Sequence, residues 1–485
     1  MFIGIDLGTS GVKVILTNTE GELVASASSS LTLSMPHPMW SEQDPQHWWD
    51  ATCECLDTLS KSHNLATVSA IGLAGQMHGA TLLGRGGNVL RPAILWNDGR
   101  TEKECVTLTE TVPSVTDITG NLVMPGFTAP KLLWVKKHEP EVFSRIDKVL
   151  LPKDYLRFKL SGDYASDMSD SAGTIWLDVG KRDWSDSLLD ACGLSRQNMP
   201  DLYEGNQVTG SLLPSLSKRW GMKDVAIVAG AGDNAAGAIG CGIINPGQAM
   251  LSLGTSGVYF AVTREFRSNA ESAVHSFCHA LPDRWHLMSV MLSAASCLQW
   301  YAANAGYKDV GELTADIESN TGADDDATPY FLPYLTGERT PHNNPAARGM
   351  FFGLSASTTR AHMARAVMEG VSMALADGID SVHGCGVQAD GISLIGGGVR
   401  SSYWCQMLAN VSGLAMNLRQ SGDVGPALGA ARLAHLAMNP EIKPSYICPF
   451  PKLVKTFEPD NSHFDIYLKR RQKFRELYFA VEPHF

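Results

Sequence analysis

The 485-residue sequence has little of the features that mark several specialised classes of protein. It is acidic, with 39 Lys and Arg against 50 Asp and Glu, and so lacks the basic excess of a nucleic-acid-binding protein. Its 10 cysteines form no Cys-x-x-Cys pair, which disfavours a disulfide framework or a zinc site and predicts reduced thiols in a cytoplasmic protein. The longest near-apolar stretch, residues 226–244, is rich in glycine and contains Asp233 and Asn234. We therefore expect no membrane span, and the first residues predict no signal peptide.

The remaining composition is that of an ordinary globular protein, with 44% hydrophobic and 18% charged residues. The length suggests two or three domains. In the first half we expect strands at residues 2–5, 12–16 and 23–30, followed by a helix that begins at Asp44 and Pro45. The second half alternates between strands and helices in a similar way. This order predicts a mixed α/β sheet in each half.

An internal repeat is the main organisational feature. The hexapeptide Leu-Gly-Thr-Ser-Gly-Val occupies residues 7–12 and again residues 253–258, each time between two apolar runs of β-forming residues. The pattern predicts a strand, a tight glycine turn and a second strand in each half. Because chance rarely repeats six residues in matched surroundings, we expect a duplicated domain. The turn at Asn245-Pro246-Gly247 then predicts domains of residues 1–244 and 245–485.

The first copy of the repeat follows a carboxylate, Asp6, at the end of a predicted strand. Backbone N–H groups of the turn Gly8-Thr9-Ser10 can form an anion-binding concavity, and Asp6 can hold Mg²⁺ together with phosphates and water. A P-loop is excluded, because Gly-x4-Gly-Lys-Ser/Thr is absent and a strand follows the turn. One copy alone is equally an ordinary hairpin. Two facing copies, the second at Gly254-Thr255, favour a grip on a polyphosphate.

A second carboxylate, Asp233, lies in a glycine-rich loop between a strand predicted at residues 225–228 and a helix that begins near Asn234. A helix N-terminus favours an anion, and the small neighbouring residues let a ligand approach closely. Asp233 is either a helix cap or a general base that acts on a hydroxyl group, and we predict the base. Asp6 and Asp233 are thus the candidate catalytic acids and the candidate Mg²⁺ ligands.

Two further glycine turns follow in the second half. Gly396-Gly397-Gly398 separates a strand predicted at residues 392–395 from a helix predicted at residues 402–411. The dinucleotide pattern Gly-x-Gly-x-x-Gly is not met, but the glycines would let adenine or ribose lie against the backbone of Gly397 and Gly398. The turn at residues 421–426 mainly marks the start of a helix at Pro426.

A polar loop, Gln76-Met77-His78, follows a strand predicted at residues 68–73, and Trp96 heads a similar cluster. Such side chains at strand ends suit the binding of sugar hydroxyls, although His78 could equally be a structural residue. We place Asn234 with them, beside Asp233.

His275 and His279 have i, i+4 spacing in strand-like surroundings. We interpret them as core or surface histidines, not as metal ligands.

These motifs together resemble the sugar kinases of the FGGY family, in the actin, hexokinase and heat-shock-ATPase superfamily. The resemblance covers nearly the whole chain and rests on Ile3-Gly4-Ile5-Asp6-Leu7-Gly8-Thr9-Ser10, Trp40-Ser41-Glu42-Gln43-Asp44-Pro45, Gly126-Phe127-Thr128-Ala129-Pro130-Lys131, Gly232-Asp233-Asn234 and Gly349-Met350-Phe351-Phe352-Gly353-Leu354. The segments at residues 76–79, 96–100 and 337–342 are most similar to the members that phosphorylate D-xylulose in D-xylose catabolism.

The resemblance implies two ribonuclease-H-like domains that flank a deep cleft, the first holding the sugar and the second most of the ATP. It implies Asp233 as catalytic base and Asp6 as the metal-linked acid. By the same resemblance, Met77 and His78 contact the sugar, Gly254 and Thr255 face the ATP phosphates, and Gly397 and Gly398 face the adenosine. From their own motifs we add Gln76, Trp96 and Asn234 to the substrate-binding residues, and Gly8, Thr9 and Ser10 to the ATP-binding residues. Val399 stands where the family usually has alanine, and we expect it to tighten the adenine site.

The expected partners are therefore D-xylulose and MgATP, with no nucleic acid and no membrane, and a homodimer is compatible with this interpretation. Two alternatives stay open. One is a kinase of the same family for ribulose, gluconate or glycerol. The other is an ATPase or chaperone on the same fold, which predicts slow ATP hydrolysis that sugar does not stimulate.

Overall fold

The computed structural model describes residues 1–322, 325–389, 391–420 and 425–485. Two seven-stranded sheets dominate it. The first contains β1 (Phe2–Leu7), β2 (Gly11–Thr17), β3 (Leu23–Ser30), β4 (Ala70–Gly75), β5 (Val208–Ser211), β6 (Ala226–Val228) and β7 (Ala231–Gly232). The second contains β8 (Ala249–Leu253), β9 (Gly257–Thr263), β10 (His275–Cys278), β11 (Trp285–Met291), β12 (Ile392–Ile395), β13 (Met416–Arg419) and β14 (Leu453–Phe457).

The two sheets share one topology. The first has the strand order β5-β6-β4-β1-β2-β3, with β7 paired to β4, and the second has the order β10-β11-β9-β8-β12-β13-β14. In both, three antiparallel strands (β1 to β3; β8, β9 and β11) are followed by two parallel neighbours and an antiparallel edge strand. The predicted α/β class with two duplicated ribonuclease-H-like domains is thereby confirmed.

The main helices are α1 (Pro45–Ser62), α2 (Asp233–Gly240), α3 (Arg360–His383), α4 (Ser402–Ser412), α5 (Gly425–Met438) and α6 (Asn461–Val481). Other helices of seven residues or more are Glu102–Thr111, Thr128–His138, Pro152–Ser161, Asp186–Cys192, Pro214–Trp220, Ala295–Asn304 and Val310–Asn320. Five short ladders pair Glu42–Gln43 with Ala93–Ile94, Thr81–Leu83 with Lys148–Leu150, Ala165–Asp167 with Asp201–Tyr203, Leu177–Asp178 with Asp183–Trp184, and Tyr330–Leu332 with Met350–Phe352. Within the described ranges, no helix combines the length and apolar character that a membrane crossing requires.

The start of α1 shows why local prediction succeeds there. The Asp44 side chain accepts a hydrogen bond from the Gln46 N–H, and Pro45 occupies the first turn, as the sequence predicts. The helix then buries Trp48 and Leu56 against the first sheet. Strands β3 and β12 likewise have their predicted bounds.

Helix α5 ties the halves together. It belongs by sequence to the second half, but it packs on β1 and β4 of the first sheet and on α2. Any side chain at Gly4 or Gly72 would strike the α5 backbone, and one at Gly429 would strike the backbone of α2. The proposed division between residues 244 and 245 therefore leaves an extensive contact across it. Of the turn predicted at residues 421–426, residues 421–424 lie outside the described residues, and α5 begins at Gly425.

Candidate active site

Two cavities meet at the turn between β8 and β9. The smaller cavity, of about 340 Å³, is lined by Met77, His78, Trp96, Asp233, Asn234, Ser252, Ser256, Val258, His275, Phe277, Met288, Val290 and Arg339. The larger cavity, of about 880 Å³, includes Leu253, Gly254, Thr255, Gly397, Gly398, Ser402 and Trp404 in its lining. Gly254 and Thr255 of the turn line the larger cavity, whereas Ser252 at the end of β8 and Ser256 of the turn line the smaller one. The turn is thus a partition between the two.

Asp233 reaches the smaller cavity from the first residue of α2. Its Oδ1 accepts hydrogen bonds from the backbone N–H of Asn234 at 2.7 Å and from Asn234 Nδ2 at 2.9 Å. Burial raises the pKa of Asp233 to about 6, and the bonds from Asn234 oppose that rise. The result is a carboxyl held in place through one oxygen, with a pKa close to neutrality. Such a group suits proton transfer at physiological pH.

Asp6 lies on β1, directly across the ladder from Lys13. Burial, together with the charge of Asp233, raises the pKa of Asp6 to about 7, while the charge of Lys13 lowers it. The two acids are therefore close enough to repel each other, although they are far apart in the sequence. Asp6 Oδ1 is buried and has no hydrogen-bond partner among the described residues.

This orphaned oxygen fits a magnesium ligand. Mg²⁺ keeps several waters and binds through one or two carboxylates plus substrate phosphates. Consistent with that mode, the described part of the chain holds no cluster of three or more metal-ligating side chains. The unpartnered Asp6 oxygen is thus the feature of this site that fits Mg²⁺.

His78 is held as a neutral acceptor. Its Nδ1 donates to the Gly173 carbonyl at 2.7 Å, which leaves Nε2 without its own proton. Burial and the charge of Lys131 lower the pKa of His78 to about 3. A side chain at Gly173 would collide with the imidazole, so this contact requires glycine. Met77 lines the cavity beside it.

Gln76 and Thr9 of the first hairpin hold Trp96, a residue of the cavity wall, through hydrogen bonds. Gln76 is buried, and its Oε1 accepts a hydrogen bond from the Thr9 hydroxyl at 2.9 Å. That hydroxyl in turn accepts from Trp96 Nε1 at 2.9 Å. Trp96 lines the smaller cavity, whereas Gln76, Gly8, Thr9 and Ser10 do not line either cavity. The structure thus connects Thr9 with the predicted sugar side, and a phosphate contact by this hairpin stays a prediction.

The four glycine-turn residues predicted for the second half, Gly254, Thr255, Gly397 and Gly398, all line the larger cavity. Val399 instead packs in the hydrophobic core of the second half and does not line the cavity. The expectation that the Val399 side chain tightens an adenine site is therefore not supported, because this side chain does not reach the cavity proposed for the nucleotide.

Sequence reasoning missed several residues of the smaller cavity, above all Arg339 and His275. His275 is buried and lines the cavity, while His279 is buried in the core and bonds the Ile243 carbonyl. The signal for His275 was the alternation of β10, where His275 and Phe277 share a face. That alternation becomes informative only when the facing cavity is known.

Comparison with known proteins finds one family match in each half of the chain. Residues 1–240 match the FGGY family of carbohydrate kinases, N-terminal domain, and residues 249–438 match its C-terminal domain. The chain is 60% identical to the xylulose kinase of Escherichia coli strain K12, covering 100% of this chain and 99% of that protein. It is 39% identical to the xylulose kinase of Bacillus subtilis strain 168, covering 89% and 87%.

Solved structures agree with the sequence relatives. The structure of a xyloylose kinase from Brucella ovis superimposes with a TM-score of 0.96 at 45% identity, covering 100% of this chain and 99% of that one. A gluconate kinase from Lactobacillus acidophilus gives a TM-score of 0.93 at 26% identity, covering 99% and 98%. Both family matches and both sheets thus lead to one conclusion: the chain belongs to the FGGY family of carbohydrate kinases.

Proposed function

We propose that this chain is an ATP-dependent kinase for D-xylulose, which yields D-xylulose 5-phosphate and ADP. The observation that carries the proposal is the position of Asp233 in a sugar-sized cavity that only one glycine turn separates from a nucleotide-sized cavity. The full-length similarity to proteins named xylulose kinase supports the choice of sugar. All ten cysteines are free thiols, in keeping with a reducing, cytoplasmic setting as part of the proposal.

In this proposal D-xylulose occupies the smaller cavity with its primary hydroxyl at Asp233. Asp233 accepts the hydroxyl proton while the oxygen attacks the γ-phosphorus of ATP in line. The new O–P bond forms as the bond to the bridging oxygen of ADP breaks. Asn234 holds Asp233 through Oδ1, so Oδ2 is the oxygen that takes the proton.

The remaining roles follow the cavities. Met77, His78, Trp96 and Asn234 would contact the sugar, with Gln76 behind them. Gly254 and Thr255 would contact the phosphates, and Gly397 and Gly398 the adenosine. Asp6, with Asp233 nearby, would hold Mg²⁺, which when bound neutralises charge on the phosphates. Closure around sugar would keep water, a competing nucleophile, from the γ-phosphate.

The test of the proposed function is ATP consumption by the purified chain across D-xylulose, D-ribulose, gluconate, glycerol and a no-sugar control. We expect D-xylulose to give the highest kcat/KM and the no-sugar rate to be far lower. A higher kcat/KM for another of these substrates would reassign the kinase. Slow ATP hydrolysis that no sugar stimulates would instead favour an ATPase or chaperone.

The role of Asp233 is tested by Asp233→Ala. Loss of the proton acceptor should lower phosphoryl transfer at least about 10²-fold while the variant folds and still binds sugar. Asp190→Ala, at an exposed helix position, is the matched control. In the wild type, kcat/KM should fall as the pH drops through about 7 and about 6, because protonated Asp6 binds Mg²⁺ poorly and protonated Asp233 cannot accept a proton. Near-normal turnover by Asp233→Ala would remove Asp233 from this role.

A further inference from the structure

Arg339 lines the smaller cavity and lies on a loop that hydrogen bonds hold in place on both sides of this residue. Its backbone N–H donates to Glu338 Oε1 at 2.7 Å, and the same oxygen accepts the N–H of Leu292 at 3.0 Å. On the other side, Thr340 exchanges two hydrogen bonds of 3.1 Å with Val290 of β11. The Arg339 backbone is thus attached to the second sheet, and only its side chain is left to be oriented.

A buried histidine orients that side chain. Arg339 Nη1 lies 3.1 Å from His275 Nε2, and His275 is 5% exposed. Burial and the adjacent charge of Arg339 hold the pKa of His275 well below its ordinary value, so the ring is neutral. Because a guanidinium can only donate, Nε2 must be the unprotonated nitrogen. His275 Nε2 is therefore the acceptor that fixes the position of Arg339 Nη1.

Asn121, a residue of the first half of the chain, fixes which ring nitrogen of His275 carries the proton. Its Oδ1 lies 3.3 Å from His275 Nδ1, which carries the proton and donates. The Asn121 amide is itself fixed, because Nδ2 donates to the carbonyls of Thr119 at 2.7 Å and Ser276 at 2.8 Å. This chain of bonds leads from Asn121 through His275 to Arg339, so each partner has one defined donor or acceptor role.

The same region of the cavity therefore presents one acceptor and one donor of fixed character. His78 offers the unprotonated Nε2, and Arg339 offers N–H groups only. Both side chains line the smaller cavity, and the charge of Arg339 contributes to the lowered pKa of His78. Phe127 packs between the His78 and His275 rings, with centroid distances of 4.8 and 5.6 Å.

This pattern matches one end of a ketose. There a hydroxyl at C1, which can donate, stands beside a carbonyl at C2, which can only accept. A polyol has a hydroxyl at C2 instead, whose proton Arg339 cannot accept and which must therefore compete with the C1 hydroxyl for the single acceptor at His78 Nε2. A buried donor without a partner is costly, so such a site discriminates against the polyol.

We propose that Arg339, oriented by the His275–Asn121 pair, recognises the C2 carbonyl of the ketose and makes the enzyme prefer a ketose to the corresponding polyol. The inference rests on the proposed function, because it assumes that this cavity holds D-xylulose. Arg339 is then a substrate-binding residue, and His275 and Asn121 are positioning residues.

The experiment compares kcat and KM for D-xylulose and xylitol in the wild type and in Arg339→Met. The variant keeps side-chain length but has no donor. We expect KM for D-xylulose to rise about 10- to 100-fold, as for loss of a hydrogen bond from a charged group, with a much smaller change for xylitol. The preference for D-xylulose over xylitol should fall accordingly. Arg348→Met is the matched control, since Arg348 is exposed and bonds the nearby carbonyls of Pro345 and Ala347.

The positioning step is tested by His275→Phe and His275→Gln. Phenylalanine keeps the ring packing against Phe127 but removes the acceptor for Arg339, so KM for D-xylulose should rise with kcat and KM for ATP little changed. Glutamine restores an acceptor oxygen and should recover at least part of the loss. Thermal unfolding of each variant separates this effect from a loss of fold. Equal KM values for the Phe and Gln variants would contradict a positioning role.

The outcomes separate the inference from the function beneath it. Equal losses for D-xylulose and xylitol in Arg339→Met, or a raised KM for ATP, would overturn the inference, because Arg339 would then serve the phosphate or both substrates alike. A wild type that uses xylitol as well as D-xylulose would also overturn the inference, but the proposed function as a kinase would still stand. A wild type inactive with every ketose would overturn the proposed function and the inference together.

Discussion

The two copies of Leu-Gly-Thr-Ser-Gly-Val have the same sequence but different hairpins. In the first, the ladder closes at Leu7 and Val12, and Gly8 N–H donates to the Gly11 carbonyl at 2.9 Å. In the second, the ladder closes at Leu253 and Gly257, so the turn is one residue shorter. A slip of one residue moves every side chain of a strand to the other face of the sheet. Identical turns can therefore present different chemistry.

The slip explains what each strand displays. Lys13 pairs with Asp6 and shares its face, so the first hairpin brings two ionisable side chains together near Asp233. The residue that corresponds to Lys13 is Tyr259, which pairs with Leu251 and is buried in the core of the second half. Ser252 pairs with Val258 instead, and both line the smaller cavity. The first hairpin thus supplies charge, and the second supplies a small, uncharged partition.

The strongest test of this difference replaces the two corresponding residues, Asp6 in the first half and Ser252 in the second. Asp6→Asn should lower kcat about 10²-fold or more, because the chain would lose the carboxylate proposed to hold Mg²⁺ near the transferred group. Ser252→Ala should cost only a few-fold. Steady-state assays at saturating MgATP measure both. Comparable losses would show that the hairpins contribute alike, against the comparison.

A smaller effect should separate the two threonines of the repeat. Thr9→Val breaks the bonds to Trp96 and Gln76, so we expect KM for the sugar to rise about 5- to 10-fold. Thr255 lines the larger cavity, so Thr255→Val should chiefly raise KM for ATP. Measuring KM for both substrates in both variants checks this. A change in KM for ATP alone in Thr9→Val would assign the first hairpin to the nucleotide.

The smallest predicted effect is on stability. A Cβ on Gly11 would lie 2.7 Å from the backbone oxygen of Ser29, whereas one on Gly257 would meet the tip of the Leu375 side chain at 2.5 Å. Backbone in a sheet yields less readily than a side-chain tip. Gly11→Ala should therefore lower the free energy of unfolding by about 1–3 kcal/mol more than Gly257→Ala. Urea unfolding of the two variants decides the order, and a greater loss for Gly257→Ala would reverse it.

The repeat and the elements near it were predictable because their signals are local. Asp44 and Pro45 start α1 through bonds to neighbouring residues, and the glycine turns stand where apolar runs are interrupted. The motif around Asp233 was equally visible, since a strand, a glycine loop and a helix start are all encoded within about ten residues. The FGGY family could therefore be identified from residues that the sequence places side by side.

Arg339, His275 and Asn121 had no comparable signal. The Asn121–His275 bond crosses between the halves of the chain, and His275 and Arg339 are 64 residues apart in the sequence. Each of these residue types also has many ordinary roles. Likewise, nothing local in residues 425–438 indicates that α5 packs on the first sheet.

The sequence by itself determined the duplicated α/β architecture, the two acidic residues and the glycine turns, because hydrogen bonds within a few residues specify such elements. The tertiary structure alone decided the register of each hairpin, the partition between the cavities and the bonds that orient Arg339. The physical reason is that register and orientation depend on which surfaces meet, as when the Gly11 turn packs against β3 and the Gly257 turn against Leu375 of α3. Such meetings form only when distant parts of the chain pack together.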